Sequence, residues 1–359
     1  MCCLRATAPR RVISSPGRQP KPILIPLNVY GRSLLSPLGS AKKQFADSLQ
    51  PNRRFASSLR KFMSTPHPFV YLALALLFGV GLWPRLVMAE PLVTGRVLHM
   101  TLQSNPDQKY LLYLPTTGAK DRPIFVTVHG ISRNVEEHAT RFAPYAERYR
   151  VVLVAPQFPK KNFPDYQRLG RVGQGDRADQ VLQKIVTEVG ELTGAHNDKL
   201  YLFGYSGGAQ FVHRYMLAFP ERVAKLVVGA AGWYTFPDPL LSYPKGIKPS
   251  PQLPGDVFVA DKFLQVPACV VVGEQDIKRE ANLDQAPGID RHQGYTRVER
   301  GRNWIAAMQK AARAKGYATP YVFRTVPLAA HSFRQSMRRG KMGDVVFECL
   351  FGDVLTVTK

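Results

Sequence analysis

From Glu90 onward two hydrophobic patterns take turns along the chain. RVLHMTL and KYLLYLP alternate apolar and polar residues, the period of a half-buried antiparallel strand. The runs PIFVTVHG (123–130), YRVVLVAPQF (149–158), KLYLFGYS (199–206), AKLVVGAAGW (224–233), CVVVGEQD (269–276) and YVFRTVP (321–327) are nearly continuous instead. Strands buried on both faces read that way, which is the habit of a parallel sheet. Helical periods lie between most of these runs. NVEEHATRFAPYAERY starts at a capping residue, Asn134, and ADQVLQKIVTEVGEL sets Val181, Ile185 and Val189 on one face. VERGRNWIAAMQKAARAKG groups Trp304, Ile305, Met308 and Ala312, and SMRRGKMGDVVFECLFG is expected as one final helix. The alternation predicts an α/β domain: a mostly parallel, twisted sheet of about eight strands with helices on both faces.

One stretch breaks the rhythm. TFPDPLLSYPKGIKPSPQLPGDVFVADKF (235–263) carries six prolines and no period. A loop this long within a compact domain is either a lid over a site or a rigid surface feature, and both readings stand. No internal repeat or interdomain linker is visible, so residues 90–359 are expected to fold as one domain.

The N-terminal part is different in kind. Residues 1–62 hold 12 Lys or Arg and one acid, Asp47, among scattered Ser, Pro and Gly. That composition builds no core and predicts a disordered basic leader, or a start site assigned too far upstream with Met63 as the real one. PFVYLALALLFGVGLW (68–83) is apolar but shorter than the roughly 20 residues that span a bilayer. Val87 and Ala89 supply the small residues before a signal-peptidase cut, so 63–89 reads as a signal peptide cleaved after Ala89. Export to the periplasm or the exterior follows; an uncleaved anchor is the alternative, and the membrane is expected as a partner only in that form.

Charge narrows the function classes less than its size suggests. The formal net charge is +23, of which the leader contributes +11 and residues 90–359 another +11. Within 90–359 the basic residues are spread out, with a modest cluster at RHQGYTRVERGR (291–302), and no zinc spacing, aromatic-basic RNA motif or helix-turn-helix signal accompanies them. A solvated basic surface is expected, with no nucleic-acid partner, no metal and no cofactor. Cys269 and Cys349 are expected as two separately buried thiols, although export also permits a disulfide between them.

The candidate chemistry starts at Gly204-Tyr205-Ser206-Gly207-Gly208, a G-x-S-x-G match between a strand and a helix. The glycines suit a turn so tight that flanking side chains would collide, and the serine oxygen would be pushed clear of the sheet. A serine needs a base and the base an orienting acid, in the chain order Ser, acid, His for this elbow. Of the histidines after Ser206, His213 lies two helical turns on and His292 in a polar loop. His331, in VPLAAHSF just past the last strand, is the expected base. Asp276 ends VVVGEQD at the same edge and is the expected acid, with Asp238 and Glu274 as rivals. The backbone N–H of Gly207 and that of Ile131, after VTVHG, are the expected oxyanion donors. His129 is read as a loop brace. Arg133 is placed near enough to meet an acidic substrate, although an exposed, solvated arginine is the favoured reading, and Tyr205, Trp233, Tyr234 and Phe236 are candidates for the substrate pocket, or equally for core.

With these residues in hand, the span from Lys109 to Gly352 resembles the α/β-hydrolase superfamily through its HG loop, GYSGG elbow, GEQD turn and AAHS segment. YLLYLP, RPIFVTVHG and VAPQF resemble its polyhydroxybutyrate depolymerase and feruloyl-esterase-like branch. That branch often carries alanine where this chain has Gly207. The resemblance implies acyl transfer to water through an acyl-enzyme on Ser206, with a small or oligomeric carboxylic ester as substrate. A peptidase or amidase on the same scaffold is the alternative, and a binding protein on a retained fold the third reading.

Overall fold

The computed structural model describes residues 92–355 other than 254, 256 and 257, with side chains as far as residue 352. The basic leader, the signal segment with its cut after Ala89, and Cys2 and Cys3 lie outside the described residues. Met88–Lys359 is one compact unit.

The strands are β1 (Val97–Thr101), β2 (Lys109–Tyr113), β3 (Pro123–Val128), β4 (Val152–Pro156), β5 (His196–Tyr205), β6 (Val223–Gly229), β7 (Ala268–Gly273) and β8 (Tyr321–Val326). They form one sheet in the order β1-β2-β4-β3-β5-β6-β7-β8. β1 and β2 pair antiparallel with their neighbours, and every pairing from β4 onward is parallel. The strands with continuous apolar runs are thus the parallel, doubly covered ones, and their carboxyl ends gather at one edge, where α/β sheets place their ligands.

The helices are α1 (Val135–Tyr149), α2 (Ala178–Thr193), α3 (Gly207–Ala218), α4 (Ala260–Phe263), α5 (Pro287–Gln293), α6 (Arg297–Ala314), α7 (Phe333–Arg338) and α8 (Met342–Leu355). Side chains alternate across a strand, so Phe125, Tyr201 and Phe203 share one face. There Phe125 meets Phe142 of α1 and Phe347 of α8, Phe203 meets Phe142, and Tyr201 meets Phe351. On α6, Trp304 packs edge-on to His213 of α3 and stacks on Tyr234.

Asn134 caps α1 by accepting from the Glu137 N–H, as its position suggests. The buried stripe of α2 is Leu182, Ile185, Val186 and Val189, and Val181 is only half-buried. The expected single final helix is two, α7 and α8, broken at Gly340 and at Lys341 with φ +49°. A Cβ at Gly340 would stand 3.0 Å from the Val326 side chain and from the Ser336 carbonyl, so the chain turns against the end of β8 there.

Cys269 and Cys349 are joined in a disulfide across 80 residues of sequence, with their Cα atoms 6.3 Å apart, where two separate thiols were expected. Adjacent burial does not distinguish the two states in a sequence; here β7 and α8 pack directly, which brings the sulfurs together. Among the described residues no helix is long and apolar enough to cross a membrane, and no group of His, Cys, Asp and Glu could hold a metal ion.

Candidate active site

β5 runs into α3 through Ser206, whose backbone is left-handed (φ 55°, ψ −111°), a conformation unfavourable for any residue but glycine. The turn is held by the Ser206 N–H, which donates to the Gly229 carbonyl at 2.7 Å. The glycines on either side are sterically required. A Cβ at Gly204 would strike the Gly208 backbone, and one at Gly208 would strike the Val128 and His129 carbonyls.

The loops after β8 and β7 bring the other two groups. His331 Nε2 lies 3.0 Å from Ser206 Oγ, and His331 Nδ1 lies 2.7 Å from Asp276 Oδ2. With the serine hydroxyl donating to Nε2, the ring proton sits on Nδ1 and is donated to the carboxylate. Asp276 is buried and the imidazole nearly so, while Ser206 keeps some access to solvent. The two loops are fixed to each other: Gln275 N–H donates to the Ala329 carbonyl and Glu274 N–H to that of Val326. The Tyr205 ring stacks against the imidazole from β5, 5.5 Å between centroids.

Gly207 is the first residue of α3, so its N–H has no acceptor within the helix and faces outward with the positive end of the helix dipole. The Gly130–Ile131 loop abuts it, with Ile131 Cγ2 2.9 Å from where a Cβ on Gly207 would be. His129 braces this loop. Its Nε2 accepts from the Phe158 N–H at 3.1 Å, and the Nδ1 proton goes to the Gly130 carbonyl at 2.9 Å. Burial lowers its pKa to about 4, so the ring is a fixed neutral imidazole.

Several expected pocket residues are elsewhere. Arg133 does not lie free in solvent. Its guanidinium turns inward, donating to the carbonyls of Phe158 and Phe163 and lying 4.9 Å over the Tyr166 ring. Tyr234 is fully buried core against Trp304 and His213. Trp233 is buried under the Arg214 guanidinium, Phe236 packs edge-on to His292, and Tyr205 is the floor under His331. The physical reason is common to all four: apolar rings at strand ends fill the space between the sheet and its excursions before they reach open solvent.

The rivals separate from the site as well. His213 is buried and satisfied by the Ala209 carbonyl and the Thr235 N–H. His292 lies on α5, started by Pro287, rather than in a loop, and it is exposed. Asp238 accepts from the Leu240 N–H two residues on, the bond of a turn-forming aspartate, and Glu274 is exposed.

Three residues absent from the sequence reading matter. Tyr166 and Gln167 of a short 3₁₀ turn crowd Gly207, the Tyr166 hydroxyl donating to the His129 carbonyl at 3.0 Å. Arg297 of α6, 1 % exposed, donates to Asp276 Oδ1 at 3.1 Å. The Arg291–Arg302 cluster is therefore not all solvated surface: Arg297 and Arg300 are buried, Arg300 paired with Asp290 at 2.7 Å. The proline-rich excursion is tied down at its base, with Tyr243 Oη donating to the Arg168 carbonyl and Thr235 Oγ1 to that of Pro244.

No family model matches the chain, and no curated protein matches it. Among solved structures, it is similar to poly(aspartic acid) hydrolase-1 from Sphingomonas sp. KT-1 (24% identity, TM-score 0.60), covering 72% of this chain and all of that one. It is also similar to a poly(3-hydroxybutyrate) depolymerase from Bordetella parapertussis (25% identity, TM-score 0.59), covering 72% of this chain and 90% of the other. The chain has the α/β-hydrolase fold that this hydrolase and this depolymerase share.

Proposed function

We propose that this serine hydrolase of the α/β-hydrolase fold cleaves carboxylic esters through Ser206, His331 and Asp276. The observation that carries the reading is the continuous relay from Ser206 Oγ through His331 to Asp276, at 3.0 and 2.7 Å. Ser206 Oγ attacks the ester carbonyl as its proton passes to His331 Nε2, and Asp276 holds the imidazole tautomer and stabilises the imidazolium. Charge developing on the carbonyl oxygen is met by the N–H groups of Gly207 and Ile131. His331 then gives the proton to the departing alkoxide, leaving an acyl-enzyme. Water, deprotonated by the same imidazole, attacks that ester and returns Ser206 to its free form. Atoms and charge balance with these side chains and water alone.

Export is part of the proposal. Its supports are the apolar segment ending at Ala89 in the sequence and the Cys269–Cys349 disulfide, a bond that persists in oxidising compartments. The relative named for poly(3-hydroxybutyrate) makes short hydroxyacyl esters a sensible first panel.

The test is labelling with a fluorophosphonate, followed by turnover of matched acyl esters and aminoacyl amides. Labelling that disappears in Ser206→Ala, with ester turnover, is the expected result. Labelling that survives the substitution removes the mechanism, and preference for amides moves the chain to the peptidase reading.

A further inference from the structure

A guanidinium at 1 % exposure is a costly group to bury, and Arg297 sits at the first turn of α6 with its charge directed at Asp276. Its Nη2 donates to Asn282 Oδ1 at 2.7 Å, while Nε has no partner among the described residues. The carboxylate of Asp276 is thereby divided: Oδ2 serves the imidazole, Oδ1 the guanidinium.

A count of charges gives the consequence. With His331 neutral, Asp276 and Arg297 cancel, and the buried cluster carries no net charge. Protonating the resting imidazole would leave a net positive charge on a cluster that is almost wholly buried. Without Arg297 the preference inverts: the resting cluster would be negative, and proton uptake by His331 would neutralise it. During attack, the proton arriving at His331 is matched by negative charge on the substrate oxygen, so the cluster with its substrate stays neutral along the reaction path.

The remaining groups facing this cluster do not change that count. Tyr205 from β5 and Tyr234 from the loop after β6 are neutral phenols, because burial pushes both upward. Arg300 on α6 shares Asp290 with Arg279, and the surplus positive charge of that trio lies on Arg279, which is one-third open to solvent (34 %). Glu280 on the loop after β7 is exposed.

We infer, resting on the serine-hydrolase reading of the site, that Arg297 is a positioning residue: through Asp276 it keeps His331 oriented and unprotonated in the resting enzyme. Loss of the charge alone should therefore move the acid side of the pH profile, which loss of packing would not.

The experiment compares Arg297→Met and Arg297→Lys with the intact enzyme, using kcat/KM for a neutral ester between pH 5.5 and 9. In the Met variant the acid limb is expected to move to higher pH by about one unit, so that activity at pH 6.5 falls about fivefold more than at pH 8.5. KM changes little, and the Lys variant keeps its limb close to that of the parent. A loss equal at every pH, or a Lys variant displaced as far as the Met variant, would overturn the assignment. If Arg297→Met lacks a native circular-dichroism spectrum, Arg297→Gln replaces it, since its amide still donates to Asp276 without charge. Failure of the parent enzyme to take up a fluorophosphonate would instead remove the hydrolase reading, which keeps the two failures distinct.

Discussion

The Tyr166 hydroxyl stands 2.6 Å from the position a Cβ on residue 207 would occupy, with Gln167 Nε2 and Ile131 Cγ2 each at 2.9 Å. This explains why the residue after the nucleophile is glycine. The space is taken by the 3₁₀ turn at Tyr166–Arg168, whose tyrosine also ties down the His129 carbonyl.

Gly207→Ala should therefore act as overpacking beside the nucleophile. The expected cost is about 1–3 kcal/mol of stability. Turnover should fall by roughly 10²-fold, the scale of losing one oxyanion donor. Tyr166→Phe in the same chain should restore part of both, and denaturant unfolding with ester kinetics on the four members of the cycle reads the coupling. Strict additivity would show that the hydroxyl and the new methyl do not meet.

Acid should unfold this protein through its buried histidines. His129, His138 and His213 are neutral in the fold because burial lowers all three, His129 to about 4 and the others well below their ordinary value. The unfolded chain takes up these protons as pH falls through about 6.5, so it binds more protons than the native state and stability drops with acidification. Stability from this source is complete above about pH 6.5. His129 alone should account for about 3 kcal/mol lost by pH 4. Urea midpoints between pH 7.5 and 4.5 check this; a midpoint unchanged over that interval contradicts it.

Removing the disulfide with Cys269→Ala and Cys349→Ala should lower stability by about 2–4 kcal/mol, since it closes a long loop in the unfolded chain. Turnover at 25 °C should stay near that of the parent. Ladder bonds to β6 and β8 hold β7 in place, and with it the route to Asp276. The comparison needs chemical denaturation with and without reductant, and a parent protein insensitive to reductant would count against a formed bond.

Arg133→Ala should destabilise by about 1 kcal/mol, because the carbonyls of Phe158 and Phe163 lose a half-buried donor. It should leave the ratio of kcat/KM for anionic and neutral esters unchanged. A selective loss of the anionic ester would return Arg133 to the binding site.

Much of this architecture is legible in the sequence because it follows from short-range patterns. Continuous apolar runs mark the parallel strands, alternation marks β1 and β2, and the GYSGG turn marks the elbow. The order of serine, acid and histidine selects Asp276 and His331 because both follow strand ends, and strand ends share an edge. The walls of the site were hidden for a different reason. Trp233, Tyr234 and Phe236 lie at the correct edge, but whether a ring faces a pocket or the core depends on the excursion packed above it. Tyr166 and Gln167 belong to an irregular segment whose destination no period encodes. Arg297 did leave a trace: residues 297, 301, 304 and 308 fall on one helical stripe with Trp304 and Met308, so an arginine there is buried and needs a partner. Charge alone disguised it as surface.

The relay joins positions far apart along the chain: 125 residues separate Ser206 from His331, and 55 separate His331 from Asp276. Such a site has no local precursor. Closing those contacts requires β5, β7 and β8 to be in register together, the kind of non-local pairing that forms late and slowly. Turnover is thus a readout of completed folding, and a chain stopped before His331 would be silent however well its elbow had formed. Under the export proposed above, with the chain crossing the membrane before it folds, that ordering would keep the hydrolase inactive until it reaches its compartment.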